Sequence, residues 1–121
     1  MKAQYDELPQ VLKDICEEFT SLSVSFGIEP VVTRVSDPVE GESGIHRLKR
    51  AIDFRDEHEG KFIYTTAQRD MLIERVQAMW ERSDSKPIVV YHSFRGAPHH
   101  FHLQVPYFLD RIHKKKSPDQ I

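Results

Sequence analysis

The run that most constrains this chain is 50–55, where apolar and polar side chains alternate. This period of two predicts a strand with Ile52 and Phe54 on one face and Ala51 and Asp53 on the other. Asp is among the residues least favoured in strands, so an Asp in the middle of one indicates a specific role. The run therefore predicts a strand that carries a functional carboxylate.

A second strand-like run, 99–105, places His100 and His102 on one face, because side chains two residues apart point the same way. Two His and one Asp offer nitrogen and carboxylate ligands that suit Zn²⁺, and three protein ligands leave a fourth position for water. Seven His in 121 residues is only a mild enrichment, and the chain contains neither H-E-x-x-H nor C-x-x-C. From spacing alone, zinc binding and an ordinary structural role of these His both remain open.

Composition fits a single domain over 1–121 with one modest core, since 39% of its residues are hydrophobic. The net charge of −2 argues against a nucleic-acid partner, and the basic run 114–116 is interpreted as a solvated tail. The lone Cys16 forms no intramolecular disulfide and is interpreted as a core residue. Because no run resembles a membrane span or a secretory signal, we expect no membrane partner and cytoplasmic synthesis.

Periodicity predicts an α+β fold with a small antiparallel sheet flanked by helices. Asp6 is expected to cap the first helix, and a capping box at 65–68 to begin the second. A hairpin is expected across 96–98, where Tyr91 or His92 of the preceding strand could line a cleft or be structural. The predicted helices are about 7–21, 65–83 and 106–115; the predicted strands are 30–36, 50–55, 87–94 and 99–105; the predicted loops are 37–44 and 56–61.

The spacing His-x6-Asp, from His46 to Asp53, with Ala51 two residues before the Asp and a later His-x-His, resembles a family of zinc peptidases. This is the D-Ala-D-Ala carboxypeptidase and L-Ala-D-Glu endopeptidase family, which includes phage endolysins and is related to lysostaphin-type enzymes and the hedgehog amino-terminal domain. The resemblance covers about residues 31–106. It implies a hedgehog/DD-peptidase-like fold, a Zn²⁺ cofactor and hydrolysis of peptidoglycan stem peptides. It also implies a phage or prophage protein, released by a holin or carried on the virion.

Carried over by position, the resemblance implies that His46, Asp53 and His102 are the zinc ligands. His100 would face the same cavity as a catalytic residue that assists the attacking water or stabilises the oxyanion. Arg34, on a strand upstream of the first His, would bind a carbonyl or carboxylate of the substrate. An alternative register exchanges His100 and His102, so that His100 is the ligand.

Three positions depart from the family pattern. Gly44 stands where the family usually has Ser, and Lys49 where it usually has Gly. The third departure is the larger, because neither Ala97 nor His99, three residues before the two His, is acidic. It removes the usual general base and leaves His100 as the substitute. Two competing interpretations therefore remain: a non-catalytic phage structural or binding module with the same fold, and an unrelated α+β domain with coincidental His spacing. The bond that is cut, the oligomeric state and the host are not encoded in these patterns.

Overall fold

The computed structural model describes residues 2–35, 50–93 and 96–115. The expected class is confirmed, since the chain is α+β with a small antiparallel sheet and α-helices beside it. His46 and the loop expected at 37–44 lie outside the described residues. In chain order the elements are α1 (Lys2–Asp6), α2 (Gln10–Ser25), β1 (Val32–Arg34), β2 (Ala51–Arg55), β3 (Glu57–His58), β4 (Lys61–Phe62), α3 (Thr66–Met79), β5 (Trp80–Arg82), β6 (Val89–His92), β7 (His100–Gln104), a 3-10 turn (Leu109–Arg111) and β8 (Ile112–Lys114).

The main sheet has the strand order β1-β2-β7-β6, and its neighbouring strands are antiparallel. The predicted hairpin is confirmed as β6 and β7, and Gly96 in their connection has φ +75°, which Gly adopts without steric cost. The strands β2 and β7 pair along five residues and place Asp53 directly opposite His102. The two runs that stood out in the sequence are thus the two central strands.

The helices α2 and α3 pack on one face of this sheet. Phe19 of α2 is fully buried, and its ring centroid lies 4.6 Å from that of Phe54 and 5.1 Å from that of Phe101. Cys16 is buried on the same helix, as expected, and burial raises the pKa of its thiol. Because side chains alternate along a strand, Asp53, His100 and His102 belong to the opposite face.

The helix ends agree only in part with the sequence predictions. The capping box is confirmed: the amide of Gln68 donates to Thr65 Oγ1 at 3.1 Å, and the amide of Thr65 donates to Gln68 Oε1 at 2.9 Å. The prediction that Asp6 caps α2 is wrong. Asp6 ends α1, and Pro9 occupies the N-cap position with no side-chain hydrogen bond. The fixed φ of Pro suits the start of a helix, so α2 begins there without a polar cap.

The loop expected at 56–61 is a β-hairpin in the structure, formed by β3 and β4. Glu59 and Gly60 form its two-residue turn, with φ of 52° and 78°. Positive φ at both turn residues matches the twist of paired strands. The prediction missed this hairpin because Glu-Gly is not among the residue pairs that usually indicate such a turn.

The expected terminal helix at 106–115 is also wrong, as is the extension of α3 to residue 83. The helix α3 ends at Met79, and the next three residues form β5, which pairs with β8. A short isolated helix is marginal in water, whereas pairing satisfies the backbone groups of both segments. Among the described residues, no helix has the length and apolar content to cross a bilayer.

Candidate functional site

The sheet brings together most of the residues that the sequence predicted for the site. Asp53 lies on β2, and His100 and His102 lie on the adjacent β7. Arg34 lies on β1 and is the register partner of Asp53 from the other side. His46 lies outside the described residues, so its position relative to the others stays a prediction.

The contact at the centre of the site joins Asp53 and His102. Oδ1 of Asp53 lies 2.8 Å from Nδ1 of His102, and the two residues are only 4% and 6% exposed. A buried carboxylate is stable only when it is paired with a cation or with hydrogen-bond donors. The position of these two groups therefore reflects a specific pairing rather than a solvated surface.

The second nitrogen of His102 is also engaged. Nε2 lies 3.1 Å from Oε1 of Gln104, and the Gln104 amide donates its own Nε2 hydrogen to the carbonyl of Pro87 at 2.8 Å. That second bond fixes the amide so that its oxygen faces the ring. Both ring nitrogens of His102 consequently face acceptor oxygens.

This arrangement suits a bound cation. If the neutral ring donates from Nε2 to Gln104, the lone pair of Nδ1 points at the carboxylate of Asp53, and two lone pairs oppose each other. A proton or a metal ion between the two groups removes that conflict. An imidazole that ligates through one nitrogen and donates from the other is the usual pattern around protein-bound zinc. The chemistry of the donors therefore fits the ion that the sequence predicts.

His100 faces the other oxygen of the same carboxylate. Its Nε2 lies 3.5 Å from Oδ2 of Asp53, and its Nδ1 lies 3.1 Å from the carbonyl oxygen of Pro98. A carbonyl only accepts, so Nδ1 carries the hydrogen in the neutral ring and Nε2 carries the lone pair. The side chain is 14% exposed, whereas that of His102 is 8% exposed. His100 thus brings Nε2 to the second oxygen of Asp53 from the more accessible position.

A third His completes the polar face. His92 of β6 is the register partner of His100, and its ring centroid lies 4.5 Å from that of His100 and 5.4 Å from that of His102. Of the two neighbouring residues considered from the sequence, His92 belongs to the site. Tyr91 points to the opposite face, where its ring packs against Phe101.

The sequence analysis missed a second buried carboxylate, Asp56, which lies at the end of β2 and is fully buried. Its Oδ1 accepts from the amide of Tyr64 at 3.0 Å, and its Oδ2 accepts from Nε of Arg69 at 2.8 Å and from the Tyr91 hydroxyl. Burial, and then this carboxylate, raises the pKa of Tyr91. Continuing the alternation of Ile52 and Phe54 by two residues would have placed Asp56 on the core face.

Next to it, the β3–β4 hairpin is attached to β7 through Glu57 and His99. The carboxylate of Glu57 accepts from the backbone amide of His99 at 3.0 Å and contacts its ring Nδ1 at 2.8 Å. These two hydrogen bonds lower the pKa of Glu57. The ring of His99 stacks on Tyr91, away from the face that holds His100. This cluster and the Asp56 network have their polar groups paired internally, which is typical of a structural role.

Within residues 2–35, 50–93 and 96–115, no three His, Cys, Asp or Glu side chains are arranged to hold a metal ion. Two of the three predicted ligands, Asp53 and His102, are in contact, and the third, His46, is outside these ranges. In a tetrahedral zinc site with ligand bonds of about 2.0–2.1 Å, two ligand atoms stand about 3.3 Å apart. The pair, at 2.8 Å, is at hydrogen-bond distance and would separate slightly around an ion.

Comparisons with protein-family models, with curated proteins and with solved structures found no match to this chain.

Proposed function

We propose that this chain is a zinc-dependent peptidase that hydrolyses peptide bonds of bacterial peptidoglycan, endolysin-like or carboxypeptidase-like, in a phage or prophage context. The observation that carries the proposal is the contact between Asp53 and His102 across the two central strands. These are two of the three positions at which the resemblance implies zinc ligands. The proposal includes a hedgehog/DD-peptidase-like fold, which the antiparallel sheet with helices on one face supports only at the level of its class.

His46, Asp53 and His102 would hold the ion. When bound, zinc supplies a water of lowered pKa and polarises the scissile carbonyl. The carboxylate of Asp53 offsets part of the positive charge, and Gln104 accepts from Nε2 of His102 and so keeps Nδ1 directed at Asp53. Gln104 in turn donates to the carbonyl of Pro87, so the orientation of His102 depends on Pro87 through Gln104.

His100 would move the proton. Its Nδ1 donates to the carbonyl of Pro98, which holds the ring with Nε2 toward Asp53. In this orientation Nε2 can accept a proton from the attacking water and return it to the leaving amine. His92 packs against the ring of His100 and restricts its rotation. The proton carrier is thus an imidazole where the related carboxypeptidases place a carboxylate.

Arg34 would orient the substrate. As the register partner of Asp53 it lies on the strand beside the ligand. A guanidinium offers several donors in a fixed plane and forms strong hydrogen bonds to carboxylates. A stem peptide ending in a free carboxylate, or presenting a carbonyl, would be held by this group.

One observation favours a second candidate, a non-catalytic zinc-binding phage structural or binding module with the same fold. Asp53 is the only acidic residue in the four strands of the main sheet that the structure describes. If Asp53 binds the ion, these strands offer no second carboxylate to act as a base. In this candidate the ion would be structural, and His100 would have no chemical task.

The test is hydrolysis of purified peptidoglycan and of defined muropeptides, with the released peptides identified by mass spectrometry. We expect products that disappear with a chelator and return with zinc. His102→Ala should abolish them, and His100→Ala should reduce them by about 10²–10⁴-fold. The matched control is His113→Ala, since His113 is an exposed residue of β8 that pairs only with Glu81 among its described contacts. A folded, zinc-loaded protein that releases no peptide from any peptidoglycan type would favour the non-catalytic module.

A further inference from the structure

Three consecutive large apolar side chains are exposed between β7 and β8. Tyr107, Phe108 and Leu109 are 62%, 57% and 44% exposed. Single exposed apolar residues are common on protein surfaces, but a contiguous group usually marks an interaction site. We call these three residues, together with Arg50 and Arg111, the aromatic tip.

The tip is held in place by the fold. Val105 and Pro106 before it and Ile112 after it are buried. Within the tip the amide of Arg111 donates to the carbonyl of Phe108 at 3.1 Å, and the carbonyl of Arg111 accepts from the amide of Ser83 at 2.9 Å. The outward direction of the apolar side chains is therefore a property of an anchored turn and not of a fraying end.

Both arginines of the tip lie over its rings. The guanidinium carbon of Arg50 is 5.7 Å from the ring centroid of Tyr107, and that of Arg111 is 5.2 Å from the ring centroid of Phe108. Asp110 is the only acidic residue between positions 105 and 115. The whole chain carries a net charge of −2, so the positive charge at this point is local. The partner of the tip should be apolar in its interior and negative at its surface.

We propose that the aromatic tip docks onto an anionic lipid surface. Tyr, Phe and Leu side chains partition into the boundary between headgroups and acyl chains, and flanking arginines reach the phosphates. Such docking needs no membrane-spanning helix, but it departs from the sequence-based expectation of no membrane partner. The proposal does not rest on the zinc site or on hydrolysis.

The ring geometry favours lipid over stacked partners. An arginine lies over one face of each ring, and the two rings meet edge to face, with centroids 5.2 Å apart and an interplanar angle of 82°. Each arginine occupies one ring face, which reduces the ring surface on which a nucleic-acid base could stack. Entry into a headgroup layer uses the exposed ring edges and leaves the contacts in place.

The experiment is sedimentation of the full chain with vesicles of phosphatidylcholine alone or mixed with phosphatidylglycerol. We expect binding only to the anionic vesicles, and weaker binding as salt rises. Phe108→Ala should lower the partition coefficient about tenfold, and Arg111→Gln about fivefold. Phe62→Ala is the matched aromatic control, because Phe62 is 52% exposed and also lies beneath an arginine, Arg69.

The exposed Arg75 provides the charge control as Arg75→Gln. Circular dichroism of each variant establishes that it is folded, and Leu109→Ser replaces Phe108→Ala if the latter does not fold. Equal binding by tip and control variants would overturn the proposal, as would no binding to anionic vesicles at low salt. Tighter binding to a single-stranded oligonucleotide, lost in the same tip variants, would also overturn it and would identify a nucleic-acid contact instead.

Discussion

Asp53 and His102 face each other across the two central strands, with Oδ1 and Nδ1 2.8 Å apart. If His102 donates to Gln104 from its other ring nitrogen, a proton or a cation between Nδ1 and Oδ1 keeps two lone pairs from opposing each other. Because the pair is buried, either occupant is exchanged only at a cost in desolvation. The metal-free protein should therefore keep this contact as a hydrogen bond, and a metal should compete with the proton for it.

The first prediction concerns zinc stoichiometry. We expect about one zinc per chain after refolding with the metal, because Asp53, His102 and an imidazole from His46 would together supply three ligands. His46→Ala, Asp53→Ala and His102→Ala should each lose most of the metal in elemental analysis. His58→Ala is the control, since His58 is an exposed residue of the β3–β4 hairpin. A wild-type stoichiometry near zero would contradict the prediction.

The second prediction separates the two His of β7. His100→Ala should retain zinc and lose hydrolysis by about 10²–10⁴-fold, the usual contribution of a general acid–base residue. The physical reason is that its Nδ1 is committed to the carbonyl of Pro98 while Nε2 is directed at Asp53. Metal content and hydrolysis should be measured on the same preparation. If His100→Ala loses zinc and His102→Ala keeps it, the two roles are exchanged.

The third prediction concerns Arg34. Arg34→Ala should lower kcat/KM on stem peptides by about 10–100-fold, the range expected for loss of a charge-assisted hydrogen bond, and should leave the zinc content unchanged. Arg75→Ala, on the exposed side of α3, should change neither quantity. An unchanged kcat/KM in Arg34→Ala would remove Arg34 from the substrate site.

The fourth prediction tests the second carboxylate. Asp56→Ala should lower the free energy of unfolding by about 3–5 kcal/mol, because it leaves Arg69 without its buried partner. Asp70→Ala, an exposed position of α3, should change it by no more than about 0.5 kcal/mol. Chemical denaturation measures both. A small effect at Asp56 would mean that the network adds little to stability.

The fifth prediction concerns acid stability. Hydrogen bonds from Arg82 lower the pKa of Asp84 to about 2. In the unfolded chain this carboxyl titrates near ~3.9, so the stabilisation is present above about pH 4 and is lost as the pH falls toward 2. Asp84→Asn should therefore be less stable than wild type at neutral pH, and the difference should shrink over that window. A difference that does not change with pH would assign the effect to lost packing.

Local sequence patterns predicted the elements whose conformation depends on contacts between residues close in the sequence. The alternation around Asp53 and the capping box at Thr65 both reflect interactions within a few residues, and both are confirmed. The pairing of β5 with β8 was missed because it joins segments some thirty residues apart that carry no clear period. Asp56 was missed for a related reason. Its partners Arg69 and Tyr91 come from other elements, and only the fold brings them together.

The strand faces of the site residues were predictable, because these residues alternate with core residues along the same strands. Period placed His100 and His102 on one face of their strand, and the resemblance placed Asp53 beside them; in the structure Asp53 is the register partner of His102. The orientation of His102 was not predictable, since it depends on Gln104 and on the carbonyl of Pro87. His92 was left between two interpretations because its face follows from the register of the hairpin, which the sequence does not specify.

The antiparallel register of β2 and β7 determines both the site and the core, so a change of register alters both at once. A one-residue slip of β7 would turn both His toward α2 and expose Phe101 and Leu103 in their place. Such a change would abolish the site and the hydrophobic core in one step, so it could not survive as a stable, inactive intermediate.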